Sequence, residues 1–289
     1  MFPVIAFGYA APGKQGAELH PINGSAFFAQ WEGERVFTGL VDECQISLDD
    51  RGRVLEIVGR GMAARLLDNE ALGQDYEVAT LEDILRDHVY PYGVQVEPGA
   101  DLDPVSRFSV ATGSSEWSVL YEFARYYGGR SPRFDRWGRL VLKSWNDSEH
   151  WLLGDGAPVT ELVCRDTRYG VLSRILVRDR FSGAVETVEN QKFMNLGGSA
   201  RRIITMPGRS NYKEMRYSGQ FQLDKSDGER LRLEVTVAQP FCAWPGDVVH
   251  LERSDWERNG EYRVVNSVVS MDEKGYRTWL ELARPDYVI

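Results

Sequence analysis

Apolar and polar residues alternate with period two over much of the chain. The alternation is strict from Arg230 to Val237, with Leu231, Leu233, Val235 and Val237 on one side and Arg230, Arg232, Glu234 and Thr236 on the other. Such a pattern predicts a strand with one buried and one wet face. Strand-like runs follow one another from Arg35 to Gly59 (RVFTGLV, CQISL, RVLEIVG). They recur at 138–145, at 171–179 and through DVVHLE, EYRVVNSVVSM and YRTWLELA near the C-terminal end. A helical period is confined to the middle. TLEDILRDHV opens on Thr80 as N-cap with Asp83 at the third helical position, and Leu81, Ile84, Leu85, His88 and Val89 share a face. SSEWSVLYEFARYYGG places Ser114 or Ser115 as cap, Trp117, Leu120, Tyr121 and Ala124 as the stripe, and Gly128-Gly129 as the stop.

This order predicts a mainly β protein with a smaller α+β part, arranged as two β-barrel-like domains separated by a helix-containing middle region. The expected boundaries are 1–60 for the first barrel, completed by later strands, and 61–155 for the middle domain, with helices near 62–71, 80–89 and 115–128. The second barrel is expected over 156–289. Within it, 179–229 is rich in Gly, Asn, Ser and Arg, shows little periodicity, and is predicted as a loop-rich insertion.

Three stretches repeat the form Asp-x-x-Gly between strand runs: Asp49 to Gly52, Asp135 to Gly138 and Asp272 to Gly275. The form suits a hairpin made of a type I turn and a Gly bulge. The Asp oxygen accepts backbone N–H groups and Gly takes the left-handed position. The paired carboxylates near residue 50 are therefore read as turn chemistry rather than as an acid/base pair.

The net charge of −9 argues against a general nucleic-acid binder, which needs a basic face. Cys44, Cys164 and Cys242 lie far apart without a CxxC, and read as small hydrophobes in a reduced compartment. The apolar start MFPVIAFGYAA lacks a basic region before it and does not make a secretory leader pattern. No uncharged run approaches the ~18 residues of a membrane span.

Gly59-Arg60-Gly61-Met62-Ala63-Ala64 is a GxGxxA between a strand and a helix, the context of a dinucleotide fingerprint. The strand that should follow, ending in an acidic residue, is missing, so the glycines are read as a turn from strand to helix. His20, His88, His150 and His250 are scattered without metal-ligand spacing, and no GxSxG is present. Glu186 and Glu189 lie in a loop-like stretch and read as a solvated surface. No catalytic residue, metal or cofactor is expected. Lys192, Arg201, Arg202, Arg209, Lys213 and Arg216 make a locally basic segment in an acidic chain. They read either as a solvated loop or as an arm that contacts an acidic neighbouring subunit, with Arg201, Arg202, Arg209 and Lys213 at its centre.

Taken in order, these features resemble a known family. VFTGLVDECQISLDDRGRVLEIVGRGMAARLLDN is followed by TLEDILRDHVYPYGVQV, then by EWSVLYEFARYYGGRSPRFDRWGRLVL. Last comes AWPGDVVHLERSDWERNGEYRVVNSVVSMDEKGYRTWLELARPDYV. The series is similar to the tail hub proteins of contractile-tailed phages, the Mu-like baseplate hub or late-control family, and to relatives in phage-derived bacteriocins. The resemblance runs over residues 36–287. Two departures stand out: the strands before Val36 read short or irregular, and GRSNYKEMRYSGQFQLDKSDGERLRLEV reads shorter and loop-like where the family carries a helix-bearing stretch.

The resemblance implies a structural virion protein rather than an enzyme. It implies a homotrimeric ring at the centre of the baseplate, whose two similar barrels per chain present pseudo-sixfold symmetry to the tail tube and threefold symmetry to the spike. The implied partners are further copies of the chain, the tail tube protein, the central spike protein and baseplate wedge proteins. DNA is expected to pass through the lumen without specific binding, and no membrane insertion is expected. The implied place is the tail baseplate, assembled in the host cytoplasm. Two rivals stay open: a distal or tail-associated protein of a non-contractile phage or secretion-type injection system, and a tail-borne cell-wall hydrolase or dinucleotide-binding enzyme.

Overall fold

The computed structural model describes residues 4–10, 26–31, 33–50, 52–143, 149–206, 208–272 and 275–286. The chain divides into two compact units, Met1–Lys143 and Ser144–Ile289.

The first unit opens with β1 (Val4–Ala10), β2 (Ala26–Trp31), β3 (Glu34–Asp49) and β4 (Gly52–Gly61). They form an antiparallel sheet in the order β1-β4-β3-β2. A register shift between Val41 and Glu43 marks a bulge in β3, which bends a long strand. A four-residue helix, α1 (Ala64–Leu67), leads to β5 (Gln74–Ala79), α2 (Leu81–His88), β6 (Val105–Val110) and α3 (Glu116–Glu122). β7 (Arg133–Phe134) and β8 (Leu140–Val141) close the unit as a short hairpin.

The helical part has its own core. Ile84, Leu120 and Ala124 are fully buried, and the Phe108 ring meets Phe123 and Tyr127 edge-on with centroids 5.6 and 5.9 Å away. That geometry suits the ring quadrupoles. α2 is fixed at its start by Thr80 and Asp83, each side chain accepting the other's backbone N–H. α3 passes into a π-helical turn at Phe123–Tyr127. The buried positions of the two are Glu116, Val119, Leu120, Phe123, Ala124, Arg125 and Tyr127, whereas Trp117 and Tyr121 of the predicted stripe stay half-buried. The helix predicted over 62–71 is confined to α1 and the turn before it.

The second unit carries β9 (His150–Gly154), β10 (Val159–Asp166), β11 (Arg174–Asp179), β12 (Val185–Glu189), α4 (Gln191–Asn195) and β13 (Arg201–Met206). α5 (Tyr212–Gly228), β14 (Leu231–Val237), β15 (Val248–Glu252), β16 (Gly260–Asp272) and β17 (Gly275–Ala283) follow. Six strands make one sheet in the order β10-β14-β17-β16-β15-β9, antiparallel except for β9 beside β15. Leu233, Val235 and Val237 of β14 are fully buried among Leu153, Val249, Leu251, Val264, Leu280 and Leu282, as the alternation requires. β12, β11 and β13 form a separate three-stranded sheet.

Two expectations are corrected here. First, the pairing among the described residues does not close either large sheet into a barrel. The first ends at β1 and β2, the second at β10 and β9. Period-two alternation specifies one buried face per strand and says nothing about which end strands pair, so open and closed sheets share the same pattern. Second, 179–229 is not a run of loops, since it holds β12, α4, β13 and all of α5. α5 packs on β11 and β12, and its buried positions mix Met215, Phe221 and Leu223 with the small Ser218, Gly219 and Ser226. Gly219 there is so close to the sheet that a Cβ would stand 2.6 Å from Val188 Cγ2 and 3.0 Å from Val177 Cγ2.

Candidate functional site

The Asp-x-x-Gly turns occupy three strand connections. At the second, Asp135 N–H donates to the Arg139 carbonyl at 3.0 Å and Gly138 N–H to the Asp135 carbonyl at 2.9 Å, with Gly138 at φ +78°. Asp135 Oδ1 accepts from the backbone N–H groups of Trp137 and Arg139 at 3.0 and 2.9 Å. These are the bonds of a turn closed by a left-handed glycine. At the other two connections the register pairs Asp49 directly with Gly52, and Asp272 directly with Gly275. The glycines there stand at φ +124° and +100°. Both glycines thus have the positive φ that the pattern predicts, while Arg51, Glu273 and Lys274 between the paired ends lie outside the described residues.

The glycines of the dinucleotide-like motif end β4. A Cβ on Gly59 would meet the Leu40 carbonyl and the Phe27 ring. The next helix has four residues, and the next strand, β5, pairs antiparallel with β6. The strand–helix–strand crossover with parallel strands that cradles a pyrophosphate is therefore not built here.

His88 belongs to a buried polar chain on α2 and α3. His88 is 3% and Glu116 4% exposed, with His88 Nδ1 2.6 Å from Glu116 Oε2. Glu116 Oε1 accepts from the Tyr92 hydroxyl at 2.6 Å. His88 Nε2 lies 3.0 Å from the Tyr76 hydroxyl, which donates to Asp87 Oδ2 at 2.9 Å. The hydrogen bond to Glu116, with burial and the charge of Glu116, pushes the Tyr92 phenol up to about 12. A carboxylate, an imidazole and a phenol in series are the parts of a proton relay. Their burial instead makes them a lock, since each polar atom inside the unit must find its partner there. His150 and His250 are exposed residues of β9 and β15, and His20 lies outside the described residues. Among the described residues no cluster of His, Cys, Asp or Glu could hold a metal ion, and no helix is long and apolar enough to cross a membrane.

The basic segment is not a loop arm. Arg201 and Arg202 begin β13, Arg209 precedes α5, and Lys213 lies in its first turn; all four are exposed. The parallel pairing of β11 with β13 sets Arg174 directly beside Arg201. On the other side β12 places Glu189 beside Arg174, 2.7 Å from its guanidinium. Composition alone shows a basic segment. Only the register shows which arginines meet.

No family model matches the chain, and no curated protein matches it in sequence. Solved structures do share its fold. The 43 kDa tail protein of prophage MuSo2 from Shewanella oneidensis superposes with a TM-score of 0.78 at 21% identity, over 99% of this chain and 90% of that one. A tail protein from Neisseria meningitidis MC58 gives 0.76 at 15% identity, over the same shares. The E. coli c3393 protein gives 0.60 at 9% identity, over 99% of this chain and 71% of that one. It is a type VI secretion component with structural similarity to the T4 bacteriophage tail proteins gp27 and gp5. The chain has the fold of phage tail proteins.

Proposed function

We propose that the chain is a structural protein of a phage-type tail, carried in the virion, and that it serves as the central hub of the baseplate. In this reading three copies form a ring that joins a six-fold tail tube to a three-fold spike. Each chain supplies two sheet-bearing units, so that three chains offer six positions to the tube. The observation that carries the reading is the extent of the likeness: 99% of this chain superposes on 90% of a prophage tail protein. The ordered motifs over residues 36–287 point the same way. The role is symmetry matching, without bond chemistry, and the acidic balance of the chain suits a bore past which DNA slides without sticking.

Light scattering over a range of concentrations tests it, followed by imaging of the assembled species. Three chains of 32.8 kDa give about 98 kDa and a ring with a central opening. A chain that stays at 32.8 kDa even when mixed with tube and spike proteins overturns the hub reading. A second reading, the equivalent part of a secretion-type injection system, draws on the likeness to c3393. Co-purification with DNA-free sheathed particles instead of DNA-filled phage would favour it.

A further inference from the structure

The three-stranded sheet of the second unit packs one face on α5. Ile175, Val177 and Val188 are buried there. The other face is open, and one row of it reads Glu189, Arg174, Arg201 across three strands, since directly paired residues share a face. Arg174 is neutralised by Glu189 at 2.7 Å. Arg201 has no carboxylate partner among the described residues. Two guanidiniums on adjacent strands in direct register repel unless an anion stands between them. The row therefore lacks one negative charge.

An open cavity of about 550 Å³ lies at this place, lined by Ser173, Arg174, Met194, Gly198, Ser199 and Arg201. Ser173 is 2% exposed, and its Oγ finds no hydrogen-bond partner. It faces Gly198, whose Cβ, if present, would lie 2.8 Å from it. Arg174 Nε is also buried without an acceptor. Unmet donors of this kind are costly, and an oxygen acceptor entering the cavity would relieve that cost.

We propose that this cavity is a carboxylate-binding site, filled by an aspartate or glutamate side chain of an acidic polypeptide segment that docks on the open face of the sheet. The charge count selects a single negative group, because Glu189 already offsets one of the two arginines. The planar guanidinium fork of Arg201 matches a carboxylate in two-pronged fashion. The surroundings select a polypeptide over a free ion. The next row of the same face pairs Leu176 with Ile203, and Ile203 is 61% exposed. β13 is an edge strand of the sheet. A segment running along it would cover this apolar row, which a small anion would leave wet.

The test uses fluorescein-labelled hexaglutamate and the full chain at low salt, read by fluorescence anisotropy. Saturable binding is expected, weakened about tenfold or more by Arg201→Glu and to a smaller degree by Arg201→Gln. Arg202→Glu, one residue on and on the opposite face, should leave binding within about twofold. Arg201→Gln keeps the test open if charge reversal disturbs folding, which melting curves of both variants would show. Absence of binding, unchanged binding in both Arg201 variants, or equal loss in Arg201→Glu and Arg202→Glu would overturn the proposal. So would binding of inorganic phosphate without binding of hexaglutamate, which would make this a site for small anions.

Discussion

The Thr38 hydroxyl donates to the Arg136 carbonyl at 2.8 Å, joining residues ninety-eight positions apart. Thr38 lies on β3, and Arg136 is the second residue of the turn that ends in Gly138. The turn is thus an anchor between a short hairpin and the first sheet, and its shape is constrained from both sides.

Gly138→Val should therefore be among the more damaging changes in the first unit. A β-branched residue resists φ +78°, and its Cβ would stand 2.7 Å from Met62 Cγ and 3.0 Å from Thr38 Cγ2. Strain and crowding together should cost about 2–4 kcal/mol. Asp135→Asn keeps an oxygen for the two backbone N–H groups and loses the ion pair to Arg139, so about 1 kcal/mol or less is expected. Urea unfolding midpoints of the two variants separate these outcomes, and equal losses would contradict the turn account.

The buried lock around Glu116 should show itself at high pH. The Tyr92 hydroxyl bond to Glu116 raises the phenol from its ordinary value near 10 to about 12. A raised pKa contributes stability that is fully present below pH 10 and is lost as pH rises through about 12. Tyr92→Phe should be less stable than the parent at pH 8, by about 1–3 kcal/mol, because the bond accepted is to a carboxylate. That gap should narrow as pH climbs from 10 towards 12, as read from guanidinium unfolding. A gap independent of pH would show that the hydroxyl contributes little to the lock.

Close approach of α5 to its sheet rests on Gly219. Gly219→Val would wedge the helix from Val188 and Val177, and should cost about 1–3 kcal/mol through overpacking. Gly219→Ala has a smaller wedge and a gain in helix propensity, so its loss should be the lesser of the two. Hydrogen exchange along residues 212–228 is the informative readout, since the effect should be concentrated there.

Asp179 ends β11 and is 1% exposed. Burial pushes its carboxyl up, but bonds from the Ser182 hydroxyl and from backbone N–H groups of Phe181, Ser182 and Ser210 outweigh it and hold the group below its ordinary range. A depressed pKa contributes stability above the unfolded value, lost as pH falls through the folded one. Asp179→Ala should cost about 1–3 kcal/mol at pH 7. The difference from the parent should shrink below pH 4 in an acid unfolding series, and a constant difference would assign the loss to packing.

The elements differ in how far the sequence shows them. The alternation of β14 and the cap of α2 read directly, because the residues that make them are neighbours in sequence. The turn at Asp135 reads for the same reason. α5 does not read as a helix because its buried Met215, Phe221 and Leu223 are interleaved with Ser218, Gly219, Ser226 and Gly228, which break the apolar period. Its one clear mark is the Asn211 and Glu214 capping box, where Asn211 N–H donates to Glu214 Oε2 at 2.8 Å and Glu214 N–H to Asn211 Oδ1 at 3.0 Å. The apolar stripe read from the sequence lies one position out of phase with the buried side of α3, where Val119 and Phe123 are inside. The meeting of Arg174 with Arg201 depends on a parallel register across an intervening strand and helix, which no local pattern encodes.

Open sheet ends have a consequence for pairing. Where an end strand is left uncovered, its backbone can be taken up by a passing strand. In the second unit, edge strand β10 has a register break between Val159 and Glu161 and carries Glu161, Arg165 and Asp166. These features make its edge a poor template for stray pairing. Such guarding slows association with the wrong strand far more than with a neighbour that presents matching charges. If the chain is the ring subunit proposed above, an edge of this kind discriminates between its own partners and stray strands before assembly.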